Sequence, residues 1–133
     1  NTNFKQYPDF EDFGDLVCNS KYGTGYIRVD WFTPAGLNTW GDGRLTILGT
    51  EGFIEIRKNT DLAGRAGGSH LFLVDGKSTR YIDCGNQELP FGRLLAEDIL
   101  NRTETAMTQN HCFNATELAL KAQKQARHLV LEK

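Results

Sequence analysis

Apolar and polar residues alternate from Tyr26 to Phe32. Ile27, Val29 and Trp31 point one way, and Tyr26, Arg28, Asp30 and Phe32 the other. A period of two predicts a strand. Residues 45–48 and 53–57 read as two more, with Phe53, Glu55 and Arg57 on one face and Ile54 and Ile56 on the opposite one. Gly49-Thr50-Glu51-Gly52 joins them as a tight turn, with at least one glycine expected at positive φ. An earlier strand is predicted over residues 12–18, followed by a turn at 19–23. The last two, residues 70–74 and 78–84, flank Asp75-Gly76, a two-residue hairpin signal because both central positions favour positive φ.

The period changes near residue 88. Pro90 suits the first turn of a helix, where its missing N–H costs nothing. Phe91, Leu94, Leu95, Asp98 and Ile99 then form a helical stripe over residues 91–101, mostly apolar. Residues 111–131 carry a second one, in which Cys112, Ala115, Ala119, Ala122, Ala126 and Leu129 repeat at three and four residues. Strands followed by helices predict an α+β fold: an antiparallel or mixed sheet of about six strands, with both helices packed on one face. The apolar set Ile27, Val29, Trp31, Ile54 and Ile56 is expected to meet those helices.

Composition narrows the function. One domain's worth of chain, 133 residues, carries a net charge of -2 and no cluster of Lys or Arg, so no nucleic-acid footprint appears. No apolar run reaches the ~20 residues of a membrane span. Cys18, Cys84 and Cys112 are odd in number and far apart; they make no metal pattern, and reduced, mostly buried thiols in a cytoplasmic protein are expected.

Gly23-Thr24-Gly25 opens like a dinucleotide fingerprint, but Arg28 stands where the third glycine belongs and the motif enters a strand. The best binding candidate is the loop of residues 33–43, where Trp40 offers a stacking face beside Asp42 and Arg44, a set that suits a polyhydroxylated ligand. His70 and His111 adjoin loops and complete the candidate list. Spacing selects no metal site and no catalytic pair. The face of Tyr26, Arg28, Asp30, Phe32, Phe53, Glu55 and Arg57 is too aromatic for plain solvent and too charged for a core, a composition that protein interfaces share.

Three segments carry a family resemblance: residues 25–31 (GYIRVDW), 39–44 (TWGDGR) and 48–55 (LGTEGFIE). They resemble the C-terminal domain of the Gfo/Idh/MocA oxidoreductases, and the alanine-rich last helix fits. The resemblance spans nearly all of residues 1–133 and implies the C-terminal, substrate-side and oligomerisation domain of a two-domain dehydrogenase. Its partner would be an N-terminal Rossmann domain, missing from this chain, that binds NAD or NADP. It further implies a sugar, cyclitol or related polyhydroxy substrate and a homo-oligomer formed through the open sheet face. That family's catalytic E-K-P and D-x-x-x-H segments have no counterpart here, so no catalytic residue carries over and this chain by itself is expected to bind no cofactor. The alternative is a free-standing, non-catalytic α+β binding or dimerisation module.

Overall fold

The computed structural model describes residues 3–129. It divides into two units: Thr33–Glu88, and Asn1–Phe32 together with Leu89–Lys133. The first unit is one four-stranded antiparallel sheet in sequence order, which follows a hairpin of β1 (Phe13–Ser20) and β2 (Gly23–Asp30) in the chain: β3 (Gly43–Gly49), β4 (Gly52–Lys58), β5 (Ser69–Asp75) and β6 (Thr79–Asp83) lie side by side. Residues directly opposite each other share a face, so the register sorts the side chains into rows. Leu45, Ile56, Leu71 and Ile82 form one row; Ile47, Ile54, Leu73 and Arg80 form the next on the same face. Those two rows are aliphatic except for Arg80, with Lys58, Ser69 and Asp75 at the ends of the same face. The other face carries Thr46, Glu55, Phe72 and Tyr81 in mid-sheet, with Leu48, Phe53, Val74 and Thr79 towards the β3–β4 turn.

In the second unit, β1 (Phe13–Ser20) and β2 (Gly23–Asp30) make an antiparallel hairpin. Aromatic rings dress both its sides. Phe32 lies edge-on to Phe4 and stacked on Phe13, and Phe10 meets Trp31 edge-on. Asp12 fastens the segment leading into the hairpin: its carboxylate accepts from the Asn3 N–H at 2.6 Å, the Asn3 amide at 2.6 Å and the Phe4 N–H at 2.7 Å. α1 (Phe91–Asn101) ends with Arg102 in the left-handed conformation. Asp98 then organises the connection to α2 (Gln109–Gln125), accepting from the Thr103 and Thr105 hydroxyls and from the Thr105 and Ala106 N–H groups. These bonds hold its pKa well below the ordinary carboxylate range, the Thr103 hydroxyl contributing most. α2 starts on Thr108, whose side chain accepts from the His111 N–H.

The α+β class and the six antiparallel strands follow the hydrophobic pattern, and α1 has its expected limits. Three expectations need correction. The strands form two sheets rather than one, because the long connection of residues 31–42, with a 3-10 turn at Ala35–Leu37, leaves β2 unpaired with β3. The second helix stops at Gln125 instead of continuing to residue 131; residues 126–129 are not helical, and 130–133 lie outside the described residues. Nor are the cysteines buried: Cys18 and Cys112 are exposed and Cys84 is half-buried.

Among the described residues no hydrophobic side chain is buried; the three buried residues are Asp12, His70 and Asp98. A folded monomer of 14.9 kDa exposes about 7,000 Å², whereas this chain exposes 11,608 Å². Leu45 and Ile47 on the aliphatic face are 52% and 50% exposed. Apolar exposure on that scale marks surfaces built to be covered.

Gly52 shows how closely the sheet is drawn together. A Cβ placed there would fall on the Val74 carbonyl oxygen and within 3.1 Å of the Asp75 Cα, both backbone atoms of β5. Gly52 has φ 158°, the positive φ expected of a glycine in this turn, and close cross-strand approach is a second reason that the position requires glycine. Gly52→Val should cost about 1–3 kcal/mol in urea unfolding. Gly49→Ala, whose added carbon stays 3.5 Å from the Gly52 carbonyl oxygen, should stay within ~1 kcal/mol of wild type.

Candidate functional site

The strand register assembles a polar row at one end of the four-stranded sheet. Arg44 on β3 faces Arg57 on β4, Arg57 faces His70 on β5, and His70 faces Asp83 on β6. All four share the face that carries Phe72 and Tyr81. Two carboxylates join them: Glu55, two residues before Arg57 on β4 and so on the same side of the strand, and Asp42, which immediately precedes β3 and reaches Arg44. Asp42 takes both the Nε and the Nη2 of Arg44 on its Oδ2 atom, the Nε contact at 2.9 Å. Glu55 Oε1 accepts from Arg57 Nε at 3.0 Å.

Asp42 is held below the ordinary aspartate pKa, first by its hydrogen bond from Arg44 and then by the charges of Arg44 and Arg57, against the opposing effect of burial. The same bond raises Arg44. Two arginines facing each other across β3 and β4, each paired with its own carboxylate, therefore form one charge network. Asp42 Oδ1 is buried and has no hydrogen-bond partner among the described residues.

His70 is 1% exposed. Its Nε2 lies 3.0 Å from the Gly67 carbonyl, which can only accept, so Nε2 carries a proton. In the neutral ring Nδ1 is then the acceptor, and the Tyr81 hydroxyl, 2.9 Å away, donates to it. This pair of bonds pins the loop of residues 59–68 to the sheet. The loop closes on itself where the Asn59 N–H donates to the Gly68 carbonyl at 2.8 Å. Gly67, at φ 98°, occupies backbone space that suits glycine. Arg65 reaches back from the loop over the Tyr81 ring at 5.0 Å and the Phe72 ring at 5.4 Å, and pairs with Asp61 at 2.7 Å. The neighbouring loop of residues 33–42 lies alongside: a Cβ at Gly41 would sit 4.0 Å from the Asn59 side-chain nitrogen.

Trp40 projects from that second loop and is 92% exposed. The Thr39 hydroxyl donates to the Gly41 carbonyl at 2.6 Å across it, which fixes the local bend. Of the residues singled out by sequence, Trp40, Asp42, Arg44 and His70 fall in this one unit, at one end of one sheet. His111 does not; it stands in the other unit, in the first turn of α2.

The seven residues grouped as an interface also divide. Tyr26, Arg28 and Asp30 are on β2, and Phe32 follows it, whereas Phe53, Glu55 and Arg57 are on β4. Likewise Ile27, Val29 and Trp31 belong to the hairpin unit, and Ile54 and Ile56 to the four-stranded sheet. Each set therefore spans two sheets instead of one face. Arg28 spends its charge locally, on Asp30 at 2.7 Å.

Sequence reading missed Tyr81 and Asp83 as members of the site. Taking Asp75-Gly76 as the two central residues of the hairpin would set Tyr81 opposite His70; the strands instead turn at Gly76-Lys77, where the Asp75 N–H donates to the Ser78 carbonyl at 3.0 Å, and this places Tyr81 beside Phe72 and Asp83 beside His70. Among the described residues no group of three His, Cys, Asp or Glu is placed to hold a metal ion.

The His70–Tyr81 bond can be tested directly. Tyr81→Phe keeps the ring under Arg65 but leaves the buried Nδ1 without a donor. A loss of about 1–3 kcal/mol in unfolding free energy is expected, with faster amide exchange across residues 59–68. Unchanged stability and exchange would refute the pinning role.

Comparison with known proteins comes from solved structures. The chain is similar to a crystal structure from Erwinia carotovora atroseptica SCRI1043, named there a "putative oxidoreductase", with a TM-score of 0.89 and 48% identity over 98% of this chain. The match spans 39% of that protein's length. No protein-family model matches the chain, and no curated protein does.

Proposed function

We propose that this chain is the C-terminal, substrate-side and oligomerisation domain of an NAD(P)-dependent oxidoreductase of the Gfo/Idh/MocA type, acting on a sugar, cyclitol or related polyhydroxy compound. The observation that carries this reading is the 48% identity over 98% of the chain to part of a protein named as an oxidoreductase. A bare aliphatic sheet face and the absence of any buried hydrophobic residue among those described support a domain that is completed by further polypeptide. In this reading the nucleotide is bound by a Rossmann domain on that further polypeptide, and the row around Arg44 forms part of the substrate wall. Trp40 supplies the stacking face, and Arg44, Asp42 and Tyr81 supply donors and acceptors for hydroxyl groups. The proposed compartment is the cytoplasm, where three free cysteines stay reduced. Among the described residues, no helix is long and apolar enough to cross a membrane.

Activity tests the reading. The full polypeptide, screened with NAD or NADP against neutral sugars and cyclitols, should reduce the nicotinamide. With the substrate so found, Trp40→Ala should raise KM by about tenfold, the worth of one ring contact, and leave kcat within a few-fold. No turnover with any polyhydroxy compound would overturn it.

Self-association is the second part of the proposal. The Phe53, Glu55 and Arg57 face of β4 and, separately, the Tyr26, Arg28, Asp30 and Phe32 set on and after β2 would each meet another copy, in symmetric contacts that bury about 1,000 Å² or more in total. Sedimentation equilibrium should show an oligomer for the wild type and dissociation for an Arg28→Glu, Phe53→Asp double variant. A variant that associates as well as wild type places the contact elsewhere.

A further inference from the structure

We infer that the row around Arg44 selects neutral polyhydroxy rings over sugar acids and sugar phosphates, with Asp42 and Glu55 as the specificity-determining residues. This deepens the proposed function and rests on the reading of that row as a substrate wall.

Two arginines on adjacent strands would ordinarily point to an anion. A guanidinium grips a carboxylate or phosphate through paired N–H groups along one edge, two parallel bonds in a fork. In Arg44 the Nε–Nη2 edge is already filled, because both nitrogens donate to Asp42 Oδ2. In Arg57 the Nε donates to Glu55 Oε1 at 3.0 Å, and its side chain is only 16% exposed. Each arginine is thus supplied with an anion from the residue two positions before it.

The local charge leads the same way. Asp42, Glu55 and Asp83 stand against Arg44 and Arg57 along this end of the sheet. His70 has both ring nitrogens committed to Gly67 and Tyr81. Arg65 is matched by Asp61. Asp42 is kept ionised by Arg44 and Arg57, so it persists as a negative charge at neutral pH. An incoming carboxylate or phosphate would have to displace one of these partners and then sit beside it, a like-charge contact in a partly desolvated place. A hydroxyl has no such conflict, since it can donate to a carboxylate and accept from a free guanidinium N–H. Arg44 remains 54% exposed on its side chain, which leaves guanidinium N–H donors within reach, and Tyr81, 40% exposed and donating to His70, can still accept on its oxygen. Trp40 gives the flat apolar surface that a sugar ring's C–H face needs.

The test is equilibrium binding to the full polypeptide with four probes: glucose and myo-inositol as neutral rings, gluconate and glucose 6-phosphate as anions. Titration calorimetry should give at least one neutral probe about tenfold or more tighter than both anions, a difference of about 1.4 kcal/mol. Asp42→Asn and, separately, Glu55→Gln should each lower the neutral-to-anion affinity ratio by about tenfold, because each frees a guanidinium edge. Circular dichroism verifies that each variant is folded, and either one serves if the other is not. Anions binding as tightly as the neutral probes, or a ratio unmoved in a folded variant, would overturn the inference while leaving the substrate wall standing. Binding of the probes that is insensitive to Trp40→Ala, or no binding at all, would remove the substrate wall and this inference with it.

Discussion

Apolar burial is the interaction this chain lacks and the one its fold depends on. Among the described residues no hydrophobic side chain is buried, and the total exposed area lies far above that of a folded monomer of the same mass. Backbone ladders alone do not hold a four-stranded sheet in water; a sheet needs at least one covered face. The aliphatic rows of Leu45, Ile56, Leu71 and Ile82 and of Ile47, Ile54 and Leu73 have the pattern of such a face. Two apolar rows in register have the composition of a face that is covered, which is what the further polypeptide or second subunit proposed above would supply. The hairpin of β1 and β2 depends on covering even more, as two strands by themselves are marginal.

Where hydrophobic packing is missing, polar clasps supply the local order. The three buried residues are all polar, and each fastens a connection rather than an element. Asp12 holds the segment before β1. His70 holds the loop between β4 and β5 through Gly67. Asp98 holds the turn between α1 and α2 with four hydrogen bonds. A carboxylate that accepts several N–H and O–H donors is stabilised in its ionised form, which is why Asp98 stays depressed and its contribution persists above the pKa of an unfolded aspartate. On acidification that contribution is lost as the pH falls through the lowered folded value. These clasps explain how the connections keep a defined course even though the faces around them are open.

Much of the strand pattern was legible in the sequence because period-two alternation survives whether or not a face is covered. All six strands and α1 could be read that way. What failed were features that depend on partners. One continuous sheet was expected because β2 and β3 are neighbours in sequence, but pairing is decided by where the 31–42 connection places them, and no local signal reports that. The second helix was carried to residue 131 by its alanine repeat, although a repeat of small residues signals packing and says little about where the helix stops. Trp40, Asp42 and Arg44 were legible as a site because they are close in sequence. Tyr81 and Asp83 were not noticed, since they arrive only through the register of β5 and β6.

β4 carries both proposed roles, and the register shows how one strand can serve two. Arg57 belongs to the polar row at the loop end, with Arg44, His70 and Asp83. Phe53 belongs to the row of Leu48, Val74 and Thr79 at the β3–β4 turn end of the same face. Four residues separate Phe53 from Arg57, about 13–14 Å along a strand. The face thus changes from largely apolar to charged over that distance, with Glu55 between the two and paired to Arg57. Leu48 is 79% exposed and Phe53 36%, which suits a contact that excludes water. The loop end, with its matched charges, suits one that keeps water and hydroxyl groups. A ligand at the polar end and a subunit at the apolar end would meet at Glu55 and Arg57, which both proposed roles share, and Glu55 is the residue through which either one would feel the other.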